Sequence, residues 1–161
     1  METPRDVQRD KGLEWIFNDW RKKAGRIVED PFMSPHQPST PDYAVEARIK
    51  VIGDNGTSSF YILVRSDAAG NSIGYGGGVD WDAVSLSTNG ARPDDNMYNA
   101  QVDVSVWHTY CVEAKYNQIT FFVDGQQMLQ GSDNHYLKAG LVGLENNEEQ
   151  IQVSSFKVFA L

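Results

Sequence analysis

The sequence predicts an all-β fold, an antiparallel β-sandwich, and two observations predict it. From residue 42 onward, short segments of strand length are separated by turn signals such as "DNGT" at intervals of roughly 8–12 residues. Within these segments, apolar residues either alternate with polar ones or run continuously. Strands that bury one or both faces show these two patterns. About ten short strands of this kind are typical of a sandwich or barrel.

The clearest strand is "DYAVEARIKVI" at residues 42–52, where apolar and polar side chains alternate with period two. The turn "DAAGNS" separates the next segment from the glycine-rich one, and we expect hairpins around Asn117-Gln118 and Asp124-Gly125. Aspartate followed by glycine favours a tight turn with positive φ. The other predicted strands are SSFYILVRS, AVSLST, MYNAQVDVS, WHTYCVEAKY, ITFFVD, QQMLQ, AGLVGLE and IQVSSFKVFAL.

The first part of the chain allows two interpretations. Leu13, Ile16, Phe17 and Trp20 have helical spacing, which predicts one short amphipathic helix. "DWRKKAGRIVED" also fits two strands, and we favour a strand at 25–29. The structure of residues 1–19 is left open. The segment "PFMSPHQPSTP" has four prolines in eleven residues, which indicates a stiff extended connection.

Composition excludes several classes of function. The net charge is −8, and no basic stripe is present, so we expect no nucleic-acid partner. No run of 18 apolar residues occurs, so we expect no membrane insertion. The single cysteine, Cys111, lies in an apolar run, which predicts a buried and unreactive thiol.

An ordered series of phrases resembles the concanavalin A-like lectin/glucanase jelly rolls. The phrases cover residues 20–161, and the order and spacing carry the likeness. Within these jelly rolls, the phrases are similar to those of the bacterial branch with laminin-G-like domains, fructan-binding modules and the 3-keto-disaccharide hydrolase family. The resemblance implies a single jelly-roll domain in a chain of 161 residues. The phrases are DWRKKAGRIVED, DYAVEARIKV, FYILVR, GYGGGV, WHTYCVEAKYNQITFFVDG, SDNHYLKAGLVGL and VSSFKVFAL.

The stretch "GYGGGVDWD" at residues 74–82 is the first candidate site. It lacks the third glycine and the following helix of a dinucleotide-binding loop, and its carboxylates would repel a phosphate. Glycines within a strand indicate a close approach by a ligand or another backbone. Tyr75, Asp80 and Trp81 place rings beside a carboxylate, as a sugar site requires. The alternative is a strained strand crossing with Trp81 half-buried.

Arg65 and Glu113 are two further candidates, because each is a charged residue in an otherwise apolar strand. A charge at such a position needs a partner or solvent. We therefore expect each to bind ligand hydroxyls, or the two to pair with each other.

The residues alone leave catalysis uncertain and make it the less favoured function. Glucanases of this fold share a Glu-x-Asp-x-x-Glu strand that is absent here. Acid pairs for glycoside hydrolysis could come from Glu46, Asp80, Asp82 and Glu113.

The prediction is a non-catalytic, lectin-like module that binds an oligosaccharide or polysaccharide. It would be extracellular or on the cell surface and belong to a larger protein with other domains. The alternatives are a glycoside hydrolase of the same fold and a laminin-G-like protein-interaction module. We expect no cofactor, although relatives often carry a structural calcium ion, which oxygen ligands would hold. The predicted ligand contacts are Tyr75, Asp80, Trp81, Arg65 and Glu113, and the residues considered for calcium are Asp94, Asp95, Asn96, Asp124, Asp133 and Asn134.

Overall fold

The computed structural model describes residues 32–34, 37–53, 56–67, 74–87, 96–146 and 150–161. The helix-or-strand alternatives for residues 10–29 lie outside the described residues. No helix in these ranges is long and apolar enough to cross a membrane.

Within the described ranges the chain forms eleven strands in two antiparallel sheets, which confirms the predicted β-sandwich. The front sheet has the strand order β1-β10-β3-β4-β5-β6, and the back sheet has the order β11-β2-β7-β8-β9. The strands are β1 (Phe32–Met33), β2 (Tyr43–Ile52), β3 (Phe60–Ser66), β4 (Tyr75–Asp80), β5 (Ala83–Ser87), β6 (Asn96–Gln101), β7 (His108–Lys115), β8 (Gln118–Val123), β9 (Gln126–Ser132), β10 (Leu141–Asn146) and β11 (Gln150–Ala160).

The core lies between the two sheets and follows the period-two pattern of the sequence. In β2, Val45, Ala47 and Ile49 are fully buried between the sheets, as the alternation predicts. In β3, Ile62 enters this core and its neighbour Tyr61 points to the outer face. The large rings in this core are Tyr43, Phe60, Tyr75, Tyr110, Phe121 and Phe156.

Gly76, Gly77 and Gly78 of the GYGGGVDWD stretch lie inside β4 and pack against other parts of the chain. A Cβ on Gly77 would lie 2.6 Å from both Phe121 and Val112 of the back sheet. A Cβ on Gly78 would overlap the carbonyl oxygen of Phe60 on the neighbouring strand. The glycine run therefore allows the two sheets and two adjacent backbones to approach closely.

Three hairpin turns contain residues with positive φ. Asp124 and Gly125 have φ values of 51° and 83°, which confirms the predicted tight turn. Trp81 and Asp82, at 51° and 60°, form the two-residue turn between the paired residues Asp80 and Ala83. Positive φ at both central positions is typical of a type I′ turn, where asparagine and glycine are the usual residues.

The third turn differs by one residue from the prediction. Lys115 pairs with Gln118, so the turn lies at Tyr116-Asn117 rather than at Asn117-Gln118. Tyr116 has a φ of 50° and is 64% exposed.

Arg65 closes one end of the sandwich, which we call the Arg65 end. Its guanidinium is buried and donates to the Pro41 carbonyl at 2.8 and 3.1 Å and to the Tyr136 carbonyl at 3.0 Å. It also donates to the Tyr116 carbonyl and lies 3.4 Å from a carboxylate oxygen of Asp42. One side chain thereby joins three separate loops.

The suggested pairing of Arg65 with Glu113 is wrong. Arg65 has a φ of 51°, and its guanidinium meets Asp42 and loop carbonyls at the end of the sandwich. Glu113 lies on the back sheet, paired across the strands with Ala44 and Thr120. The positive φ of Arg65 interrupts the alternation of side chains along β3, so its side chain does not point where the strand pattern would place it. A run of apolar residues in the sequence gives no sign of this change.

Substituting Gly77 tests the close approach of the sheets. We expect Gly77→Ala to lower the free energy of unfolding by about 1–3 kcal/mol, because its methyl group overpacks the core. Gly76→Ala is the matched control in the same strand, since its Cβ would lie 3.3 Å from Tyr61 and 3.4 Å from Leu63. Urea unfolding measures both variants, and equal losses would contradict this packing.

Substituting Arg65 tests the closure of the Arg65 end. We expect Arg65→Met to cost about 3 kcal/mol, since it leaves loop carbonyls without their buried donor. Arg48→Met is the control, because Arg48 is exposed and its contacts are weak: a long hydrogen bond of 3.4 Å to Thr109 and a position 5.8 Å from the Trp107 ring. We expect that control to change stability by less than about 0.5 kcal/mol in the same unfolding measurement. A loss of that small size for Arg65→Met would refute the closure.

Candidate functional site

The structure distributes the predicted contact residues over three places. Asp80 and Trp81 lie together where β4 meets β5. Tyr75 begins β4 and lies with Arg65 at the opposite end. Because a strand rises about 3.3 Å per residue, Tyr75 and Trp81 are roughly 20 Å apart along the chain. Glu113 is on the back sheet, so one small ligand cannot contact all of them.

The front sheet carries a row of polar and aromatic side chains on its outer face. Tyr61 pairs across the strands with Glu145 and Gly78, and Ser85 pairs with Gly78 and Tyr98. The Tyr61 hydroxyl lies 3.0 Å from the Ser85 hydroxyl. This row crosses the sheet from Glu145 on β10 to Tyr98 on β6.

Asp80 joins the row from the side of the turn. Its carboxylate oxygen Oδ2 accepts a hydrogen bond of 2.9 Å from the Tyr98 hydroxyl. Tyr98 is 49% exposed on the edge strand β6. We call the group formed by Tyr61, Asp80, Trp81, Ser85 and Tyr98 the Trp81 corner. Trp81 and Tyr98 are exposed and Asp80 is half-buried, whereas Tyr61 and Ser85 are buried beneath them, at 8% and 0% exposure.

Trp81 is the most exposed member of this corner. Its side chain is 66% exposed, and its φ of 51° lies in the left-handed region. Bulky residues rarely adopt this conformation, and such strain is concentrated at functional sites. The turn therefore presents a large ring to solvent in a position where glycine or asparagine would fit more easily.

The electrostatics of the corner keep its central hydroxyl protonated. Burial of Tyr61 raises its pKa above the ordinary value, the hydrogen bond with Ser85 partly offsets this, and the carboxylates of Asp80 and Glu145 raise it further. The neutral phenol can both donate and accept a hydrogen bond.

Sequence reasoning missed Tyr61, Ser85, Tyr98 and Glu145. Tyr61 belongs to a segment that is apolar on both faces, so its outward direction carried no signal in the sequence. Tyr98 and Glu145 come from strands far from β4 in the chain, and only the strand pairing brings them to it.

Tyr75 organises the Arg65 end. It is 1% exposed, and its hydroxyl donates to the Asp133 carboxylate at 2.8 Å and accepts from the Tyr136 N–H at 3.1 Å. Burial raises the pKa of Tyr75 to about 12. The polar groups of Tyr75 and Arg65 bind other parts of the chain. The proposed ligand site therefore does not include these two residues.

A cleft of about 370 Å³ lies at the Arg65 end. It is lined by Arg65, Ser66, Asp67, Gly140 and the segment 134–138. The N–H groups of the Arg65 guanidinium donate to loop carbonyls. Arg65 therefore has little hydrogen-bonding capacity left for a ligand in this cleft. The exposed Trp81 ring and the neighbouring Asp80 carboxylate favour the Trp81 corner as the ligand site.

Glu113 lies on the outer face of the back sheet, where a small apolar cluster of Ala44, Cys111 and Phe122 is buried. The buried thiol agrees with the sequence prediction for Cys111. Burial raises the pKa of Cys111, and the nearby carboxylates of Glu46 and Glu113 raise it further. The thiol is therefore protonated at neutral pH.

The described acidic turns use their carboxylates within the chain. Asp124 accepts from the Thr109 N–H at 2.8 Å and lies 2.6 Å from the His108 ring. Burial raises the pKa of Asp124, but these two contacts outweigh it and lower the pKa below its usual value.

Asp133 lies in a similar setting, with Tyr75 and His135 as partners. Among the described residues, no group of three His, Cys, Asp or Glu side chains is arranged to hold a metal ion. Asp94 and Asp95 lie outside the described residues.

Comparison with protein-family models and with curated proteins finds no match. Solved structures do match. The carbohydrate-binding module CBM66 from Bacillus subtilis has a TM-score of 0.66 at 19% identity, over 83% of this chain and 84% of that one. The Caenorhabditis elegans galectin LEC-6 gives 0.62 at 16% identity, over 83% and 93% of the two chains.

The exoplasmic/lumenal domain of VIP36, bound to Ca²⁺ and Man3GlcNAc, gives a TM-score of 0.63 at 13% identity, over 84% of this chain and 78% of that one. At such identities the likeness shows the fold. The two antiparallel sheets and these neighbours agree with the sequence resemblance, and the chain has the concanavalin A-like jelly-roll fold.

Proposed function

We propose that this chain is a non-catalytic carbohydrate-binding module whose ligand contacts the Trp81 corner. The observation that carries the proposal is the 66% exposed Trp81 ring, held at a φ of 51° beside the hydrogen-bonded Tyr98 and Asp80. The printed names of its structural neighbours, a carbohydrate-binding module and a galectin, support carbohydrate as the class of ligand.

The corner offers the two kinds of contact that a sugar ring can make. One face of a sugar ring presents C–H groups, which pack on an aromatic surface such as Trp81. The hydroxyl groups at its edge donate to carboxylates and exchange hydrogen bonds with phenols. A few fixed polar groups beside an apolar surface provide orientation and specificity in binding sites.

The absence of catalysis is also a proposal, supported by where the acidic residues lie. Glu46 and Glu113 lie on the outer face of the back sheet and Asp80 belongs to the front sheet, so Asp80 does not share a cleft with either glutamate. Asp82 is buried, and its main chain contacts Ser58 and Val102. Glycoside hydrolysis needs two carboxyl groups within roughly 5–10 Å on either side of one bond.

We also propose that the module works outside the cytoplasm as part of a larger protein. The exoplasmic/lumenal domain among the neighbours supports this location. That neighbour binds Ca²⁺, but our proposal does not require calcium, because the corner's own groups make the sugar contacts.

Replacing Trp81 tests the site directly. We expect Trp81→Ala to weaken the binding of glycans on an array at least tenfold, which corresponds to about 1.4 kcal/mol. Tyr116→Ala is a matched control, because Tyr116 is 64% exposed, has a φ of 50°, and lies in a hairpin turn at the opposite end.

We expect that control to bind like the native chain. Loss of binding in Tyr116→Ala alone would move the site to the Arg65 end. Equal binding by all three proteins would remove the assignment, and no binding to any glycan would favour the protein-interaction alternative.

Incubation with bound oligosaccharides tests the absence of catalysis. We expect no release of reducing ends above a buffer control over a day, because Glu145, the other described carboxyl group on this outer face, lies on β10 and is separated from Asp80 on β4 by Tyr61 of β3. Release that is lost in Asp80→Asn would show a glycoside hydrolase instead.

A further inference from the structure

The outer face of the front sheet is acidic around the Trp81 corner. Asp80 lies on one side of Tyr61, and Glu145 lies beside it on β10. Tyr61 lies between the two strands that carry these carboxylates, and both carboxylates add to the rise that burial causes in the pKa of Tyr61. The described side chains on this face are those of Met33, Tyr61, Leu63, Asp80, Ala83, Ser85, Ser87, Tyr98, Gln101 and Glu145, and they include no lysine or arginine.

Arg65 lies on β3, the strand that carries Tyr61, but it does not neutralise the acidic charge of this face. Arg65 belongs to β3, but its guanidinium lies at the opposite end, where it binds the carbonyls of Pro41 and Tyr136 and the carboxylate of Asp42. The charge of the arginine is therefore directed away from the corner.

The hydrogen-bonding capacity of Asp80 disfavours anionic ligand groups, as its charge does. An ionised carboxylate only accepts hydrogen bonds, so a ligand group that meets Asp80 must donate one. Sugar hydroxyls donate, whereas the carboxylate of a uronic or sialic acid and a sulfate ester do not. An anionic group placed there would also meet like charge in a half-buried setting, where screening by solvent is reduced.

We infer that the Trp81 corner binds neutral saccharides and rejects saccharides that carry a carboxylate or sulfate. This inference rests on the proposed function and adds the chemical class of the ligand. Asp80 is the residue that sets the preference, because its Oδ2 is fixed by Tyr98 and its other oxygen faces no hydrogen-bond donor among the described residues.

The test uses an array of matched pairs, in which each neutral oligosaccharide is printed beside the same oligosaccharide carrying one carboxylate or sulfate. We expect the native chain to bind the neutral member of each recognised pair at least tenfold more tightly. Asp80→Asn preserves shape and an acceptor for Tyr98, so we expect it to fold and to reduce this preference severalfold. Raising the salt concentration reduces it too, because screening weakens the repulsion.

Lys157→Gln is the control variant, since it changes a charge on the back sheet and leaves the corner untouched. We expect it to keep the native preference. Thermal unfolding of each variant confirms that it folds. If folding fails in Asp80→Asn, the salt dependence of the native chain decides the same question.

The outcomes separate this inference from the function on which it rests. Binding that requires Trp81 but favours the anionic members, or ignores charge, overturns the inference and leaves the proposed function intact. An array without any Trp81-dependent binding overturns both.

Discussion

The structure depends on the close contact between the inner faces of its two sheets. Gly77 of β4 has no side chain, so the side chains of Phe121 and Val112 from the back sheet pack directly against the backbone of β4 there. Because alternate residues of each strand fill this interface, the remaining residues must face outward. The outer face of the front sheet can therefore carry a polar row without cost to the core.

The two ends of the sandwich are built differently, although β4 connects them. At the Arg65 end, buried Arg65, Tyr43 and Tyr75 hold the loops through their carbonyls and amides. At the other end, a strained two-residue turn displays Trp81 to solvent. Binding residues are often placed on loops that a rigid scaffold positions, and this contrast is why the Trp81 corner is the better candidate despite the cleft at the opposite end.

The similarity to known structures has a clear limit as an argument about function. Identities of 13% to 19% establish a shared jelly-roll fold. One fold supports many functions, so the ligand must be argued from the side chains of this chain. Here those side chains are a ring, two phenols and a carboxylate on one outer face, with a second carboxylate nearby. Their charge and hydrogen-bonding capacity, rather than the neighbours' ligands, define the class of saccharide.

The sequence by itself determined the antiparallel sandwich, most strand positions, the Asp124-Gly125 turn and the burial of Cys111, because alternation and turn chemistry are local properties. It also brought Asp80 and Trp81 together, since they are adjacent. Only the tertiary structure decided that Arg65 turns to the end of the sandwich and that Tyr75 is buried. Strand pairing alone placed Tyr61, Ser85, Tyr98 and Glu145 on the same outer face as Asp80. These contacts join residues distant in the chain, and in strands that are apolar on both faces no local pattern marks which side chain points outward.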